Sequence, residues 1–319
     1  MNTVARLALA LVLLLCAGSA LPQYPSKPIG FIVGFPPGGS ADPTTRIIGA
    51  ALTQQLGQPV VVENRPGADS AIAAEMMTRQ PPDGYTIMFA SNSAMTAAVA
   101  LRKNPAYDPL TDFTPISMVG RATVFLYSHP SVPATTLKGF IEHARANPGK
   151  LVYGTGNPLS ILYNVQLMSS TGIDMLHVPY KGEGPLMPDI IAGRVHSSFL
   201  SQGNAIALAK EGKLRALAVL LDKRSALLPE VPTIAEAGVP AVTVRQWAGV
   251  FGPPRMPRDI VERLNKEVNA ALRRPAVLEQ LQRYGYAAEG STPEGLTAIN
   301  REDLALWGKL VREAGIPLE

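Results

Sequence analysis

The stretch FIVGFPPGGSADPTTR, residues 31–46, decides how the chain is read. An apolar run with the look of a strand stops at two prolines and two glycines, and a helix-like pattern follows within a few residues. Proline lacks the N–H a sheet ladder needs, and glycine frees the backbone, so the strand must end in a tight turn that leads into a helix.

Working outward, the period keeps switching. Residues 29–35 read as a first strand; Ile47, Ile48, Ala51, Leu52 and Leu56 then recur at helical spacing up to Gly57, and PVVVEN forms a second strand. A helix over 71–79 and a third strand, YTIMFA, follow. This β-α-β-α-β order predicts parallel strands with right-handed crossovers, so the loops 36–40, 64–70 and 91–93 converge on one edge. A second series comprises TVFLY, a helix at 136–146, KLVYG, a helix at 159–170, MLHVPY, a helix at 185–192, VHSSFL and LRALAVL. Its converging loops are expected at 128–130, 153–160, 180–184 and 200–204. A Pro-rich passage, LPEVPTIAEAGVP, leads to WAGVFGPP and two helices, the first starting at Pro257 with Val261, Leu264 and Val268 on its core face, the second at STPE, where Ser291 or Thr292 can cap.

The N-terminus predicts the compartment. Arg6, the apolar run LALALVLLL and the small residues ending at Ala20 form the pattern of a secretory signal peptide over 1–20, too short in its apolar core to span a bilayer. Cys16, the only cysteine, lies inside it, so a mature exported chain has neither a disulfide framework nor a thiol nucleophile. Leu15 before that cysteine fits a lipid-attachment site poorly, which favours a free periplasmic protein. The net charge of +4 is spread without long runs and points to neither nucleic acid nor a membrane surface.

The glycine turn admits two readings. It is a tight connection, or it is an anion cradle in which the free amides at a helix N-terminus meet a ligand, with Gly38 and Gly39 allowing close approach and Ser40 capping or donating. It lacks the Lys-Ser/Thr end of a nucleotide P-loop, and GTGNPL at 154–159 lacks the third glycine of a dinucleotide fingerprint. His129, His143, His177 and His196 stand apart, with no helical zinc spacing, and no GxSxG elbow occurs. His177 reads as a core or rim residue, and Trp247 and Tyr180 as packing residues that could also face a ligand.

The ordered set YPSKPI, FPPGGSAD, LGQPVVVENRPGA, PPDGYT, YDPLTDFTPIS, VPYKGEGP, GKLRALAV, VPTIAEAGVP and WAGVFGPPRMP resembles the Bug-type periplasmic solute receptors of tripartite tricarboxylate transporters, over nearly the whole mature chain. The resemblance implies a two-lobed α/β flytrap, each lobe a mostly parallel sheet flanked by helices. Lobe one is 21–122 with 245–319, and lobe two is 123–244. The implied function is capture of a small carboxylate in the cleft by hinge closure and its delivery to integral membrane transporter components, by a monomer without catalysis, cofactor, metal or nucleic acid. Ligand chemistry stays open among organic and aromatic carboxylates, amino acids and amides.

Carried over by resemblance, Pro37, Gly38, Gly39, Ser40 and Asp42 form the cradle of lobe one, with Asn92 and Ser93 beside it. Lobe two supplies Thr155, Gly156 and Asn157, then Tyr180, Lys181 and Glu183, and the strand end at Leu200 and Ser201. Asp42 also reads as a residue that caps or meets the helix dipole. Two positions depart from the family pattern: Glu183 replaces a second glycine, and Phe199-Leu200 stands where Phe-Asp is common. Glu183 either takes over the missing aspartate's place, meets a donor on the ligand, or faces solvent beside an apolar wall at Leu200. Two other functions remain open on sequence grounds: a ligand sensor for a signalling partner, and a secreted α/β enzyme acting on a small acid through Asp42 or Glu183.

Overall fold

Strand β1 (Ile29–Val33) is buried on both faces, as a strand covered by helices on either side must be. The computed structural model describes residues 24–316 and 318, except 38, 39, 202–204 and 314. The expected signal peptide and the two cradle glycines, Gly38 and Gly39, lie outside the described residues. After β1 come α1 (Ala41–Leu56), β2 (Val60–Asn64), α2 (Ala71–Met77), β3 (Thr86–Ser91), α3 (Ala98–Ala100) and β4 (Thr114–Ala122). The chain then runs through β5 (Val124–Ser128), α4 (Leu137–Ala146), β6 (Val152–Thr155), α5 (Pro158–Thr171), β7 (Leu176–Pro179), α6 (Glu183–Ile191), β8 (Ser197–Ser201), α7 (Ala205–Lys210) and β9 (Arg215–Val219). It returns in β10 (Trp247–Gly252), α8 (Arg258–Leu272), α9 (Pro275–Arg283), β11 (Tyr286–Ala288) and α10 (Pro293–Glu313).

Two sheets result, one ordered β11-β4-β10-β3-β1-β2 and the other β7-β6-β8-β5-β9. The α/β class is as expected, but the sheets are mixed rather than mostly parallel. Strands β1, β2 and β3 are parallel, and β10 joins β3 and β4 antiparallel, with β11 antiparallel to β4. In the second sheet β6 is parallel to β7 and β8, while β5 is antiparallel to β8 and β9. The cause is the crossing between sheets: β4 and β5 are one nearly continuous run that leaves the first sheet and enters the second, so each sheet receives a strand whose direction the crossing dictates. One loop expectation changes with it. Ser128 at the end of β5 pairs with Ser197 at the start of β8, so loop 128–130 lies at the edge away from loops 153–160, 180–184 and 200–204.

Side chains alternate between the faces of each sheet, and each face meets its own helices. Phe31, Val33, Ile87, Phe89 and Val250 pack with Ile48 and Leu52 of α1 and Leu264 and Val268 of α8. On the other face Ile32, Met88, Met118 and Phe251 meet Ala74 and Met77 of α2 and Leu296 of α10. In the second sheet Leu126, Tyr153 and Phe199 pack with Phe140, Leu159 and Leu162, while Phe125, Tyr127, Leu200 and Val219 pack with Leu186 and Ile190. Each large apolar side chain removed from water this way is worth about 1.5–3 kcal/mol. Helix α1 stops at Gly57, whose φ of 70° supplies the left-handed turn and whose N–H closes on the Thr53 carbonyl at 3.1 Å.

Three passages join the sheets. The outgoing run at Thr123 is bonded sideways, Ala122 N–H to the Gln246 carbonyl at 2.9 Å and Thr123 N–H to that of Gly285 at 2.6 Å. The return passage 220–246 closes on the network of Asn92, Arg245, Trp247 and Asp303. Helix α10 is the third. Its first turns place Leu296 in the core of the first sheet, whereas Trp307 and Val311 belong to the core of the second.

Candidate functional site

Because β1, β2 and β3 are parallel, the turns that follow them open on one edge. The polar groups there are buried and many lack protein partners. Thr44 in the first turn of α1, Ser70 before α2, and Ser91 and Ser93 at the end of β3 are 0–4% exposed, and their hydroxyls have no hydrogen-bond partner among the described residues. Buried hydroxyls are rarely left unpaired, so four of them at one edge mark a place made for water or ligand. Helix α1 begins at Ala41, six residues before its apolar periodicity, because this buried polar turn belongs to the edge rather than to the core.

Asp42 is committed within the first unit. Its Oδ1 accepts from Arg46 Nε at 3.0 Å and from Asn64 Nδ2 at 3.0 Å, and Asn64 also donates to the Phe35 carbonyl at 3.0 Å. The carboxylate thus braces the exit of β1 against that of β2. Ser40 stands before α1 without capping it, and it acts to lower the pKa of the Tyr286 phenol on β11. Pro37 is exposed beside it. Asn92 is buried and faces the return passage: its Nδ2 donates to the Arg245 carbonyl at 2.9 Å and to Asp303 Oδ2 at 3.1 Å, while its Oδ1 accepts from Trp247 N–H at 3.3 Å. Trp247 packs in the first core and donates its indole N–H to Asp303 at 2.6 Å. Burial raises the Asp303 carboxyl above the usual range, against the pull of those two donors.

In the second unit, β6, β7 and β8 are parallel and their C-terminal turns touch. A Cβ on Gly156 would stand 2.7 Å from the Glu183 nitrogen and 2.8 Å from the Gly182 carbonyl carbon. Only glycine lets the two turns meet backbone to backbone. Because neither neighbour is a flexible side chain, Gly156→Ala is expected to cost about 1–3 kcal/mol in urea unfolding; an unchanged midpoint would mean the turns part freely. Asn157 caps α5, its Oδ1 accepting from Ser160 N–H at 2.9 Å. Thr155 Oγ1 is 2.7 Å from His177 Nε2, and His177 stacks on Tyr153, which makes it a rim residue of edge strand β7. Tyr180 gives its hydroxyl to Asp189 Oδ2 at 2.5 Å, and Lys181 is exposed. Leu200 is fully buried in the core with Leu186 and Phe125, so it forms no cleft wall.

Glu183 opens α6, and its side chain crosses to the end of β8. Oε1 accepts from the Ser201 N–H at 2.9 Å and Oε2 from the Ser201 hydroxyl at 2.9 Å. Crowding by protein atoms raises its carboxyl pKa, opposed by these two bonds. Burial above all pushes the Tyr163 phenol up, and Asp303 of α10 and Glu183 push it further while Arg245 opposes. Burial likewise raises Tyr286 of the first unit; Ser40 opposes this and Glu183 adds to it. Ser93 is named in the sequence reading; Thr44, Ser70, Ser91, Tyr163 and Tyr286 are not, since hydroxyls inside or beside apolar runs look like core, and a hydroxyl at the end of such a run was the available signal.

Two mixed sheets flanked by helices and joined by crossing strands have the architecture of the periplasmic two-lobed binding proteins. The family model described as "Tripartite tricarboxylate transporter family receptor" matches residues 44–316, and the chain belongs to that family. Protein BugT of Bordetella pertussis is 34% identical over 100% of both chains. An R. palustris protein solved with adipate is 33% identical, with a TM-score of 0.84 over 92% of this chain and 99% of that one. MatC from Rhodopseudomonas palustris, solved with bound malate, is 29% identical, with a TM-score of 0.78 over 90% of this chain and 100% of that one. The chain is accordingly a solute-capturing receptor of a tripartite transport system. Among the described residues no helix is long and apolar enough to cross a membrane.

Proposed function

We propose that the protein binds a small organic carboxylate in the gap between two lobes, 21–122 with 245–319 and 123–244, that they close on it about the passages near 120–124 and 223–246, and that the closed form is read by integral membrane components. The ligand's carboxylate would sit on the amides of the Pro37–Ser40 turn, with the unpaired serines beside it, while the 155–157 and 180–183 turns and Ser201 meet its other end. Binding both lobes only when closed gives the ligand the differential affinity that shifts the population. The observation that supports this reading is the row of buried hydroxyls on Thr44, Ser70, Ser91 and Ser93, which have no partner among the described residues and lie where the turns after three parallel strands open. The relatives solved with adipate and malate support the carboxylate class.

The reading is binding without chemistry, in the periplasm after cleavage near Ala20. Asp42, the acid–base candidate of an enzyme, is occupied by Arg46 and Asn64, and Glu183 by Ser201. Refolded, ligand-stripped protein is expected to gain about 2.7 kcal/mol at a hundredfold excess over Kd of a cognate acid, a rise of several degrees in Tm. A panel of mono- and dicarboxylates, amino acids and amides that leaves Tm unmoved would sink the carboxylate assignment.

A further inference from the structure

The Ser201 N–H and hydroxyl at the end of β8 form an anion-binding pair, and both are taken by the two oxygens of Glu183, each at 2.9 Å. The protein therefore carries at this subsite the carboxylate that a dicarboxylic ligand would bring. No cation offsets it: among the described residues Glu183 has no ion pair, and the influences on it are burial and the two Ser201 bonds. A carboxylate has about four acceptor positions, of which Ser201 uses two, so acceptor capacity is left over.

We infer that Glu183 is a fixed internal anion that sets ligand specificity, selecting molecules with one carboxylate for the Ser40 turn and a hydrogen-bond-donating end, an ammonium or a primary amide, for Glu183. This rests on the receptor reading above. A second ligand carboxylate would face Glu183 in a partly desolvated gap, where like charges repel far more than in water, whereas an ammonium or amide N–H meets an acceptor already held in place. The position of Leu200 agrees. With an apolar side chain there turned into the core, Glu183 is the carboxylate that the end of β8 presents.

The test is calorimetric titration of ligand-stripped protein with two matched series: succinate, succinamate and 4-aminobutyrate, and adipate, adipamate and 6-aminohexanoate. In at least one series the amide or amine is expected to bind about tenfold or more tighter than the dicarboxylate. In Glu183→Gln, which keeps an acceptor for Ser201, that preference should shrink to within about threefold. Dicarboxylates binding as tightly as their partners, or a preference that survives Glu183→Gln, overturns the inference and leaves the receptor reading standing. Binding of none of the six compounds, with a carboxylate found elsewhere in the wider panel, overturns the inference by the same measure. Failure of the whole panel removes the carboxylate reading itself. The wild-type arm decides even if the variant misfolds.

Discussion

Trp307→Ala is expected to remove about 3–5 kcal/mol of stability, seen as a lower urea midpoint with a similar slope. Trp307 lies far along the last helix, yet it is fully buried in the core that holds Leu159, Leu162 and Tyr163 of α5 and Phe199 of β8. Truncation leaves a cavity of indole size in a packed core. Its indole N–H has no acceptor among the described residues, so the expected effect is one of packing. A cost below about 1 kcal/mol would show that α10 merely lies against the second unit.

Asp303→Ala should be nearly as damaging, for an electrostatic reason. The substitution strands two buried donors, Trp247 Nε1 and Asn92 Nδ2, which now reach Asp303 Oδ2 at 2.6 and 3.1 Å. Each orphaned donor costs about 1–3 kcal/mol, reduced by relief of a buried carboxylate, for a net loss of about 2–4 kcal/mol in urea unfolding. Asp303→Asn keeps an acceptor and should lose much less. The pH dependence separates the two effects. Burial holds the Asp303 carboxyl above its unfolded value, so between those two values the folded state retains a proton the unfolded state has lost, and stability falls as pH rises. Asp303→Asn should abolish that part of the slope; an unaltered profile would assign it to other groups.

Much of this architecture is legible in the chain because its periods switch cleanly. The parallel turns after β1, β2 and β3 follow from alternation and crossover handedness alone. Strand direction in the mixed parts does not, since β5 runs as it does because β4 delivers it there, and no local pattern records that. Strand β11 is three residues long and α9 follows α8 after a two-residue break, so neither stands out from a helical region. At the site, glycine and proline punctuation marks the turns, and Glu183 is conspicuous as a carboxylate among glycines. Its partner is not, because Ser201 lies 18 positions away and meets it only when β6, β7 and β8 are side by side. Asn92 looked like a ligand donor for the same reason: Arg245, Trp247 and Asp303, which occupy it, come from the far end of the chain.

The helix that straddles both cores bears on how the polypeptide comes into being. As the chain emerges from the ribosome, Phe89 waits for Val250, its neighbour in the sheet, and the second core waits longer still, for Trp307 and Val311. Contacts so distant in sequence form slowly, and an N-terminal portion can complete neither core. For most of its synthesis the nascent chain has no finished domain, and it commits to a shape only when the final helix arrives.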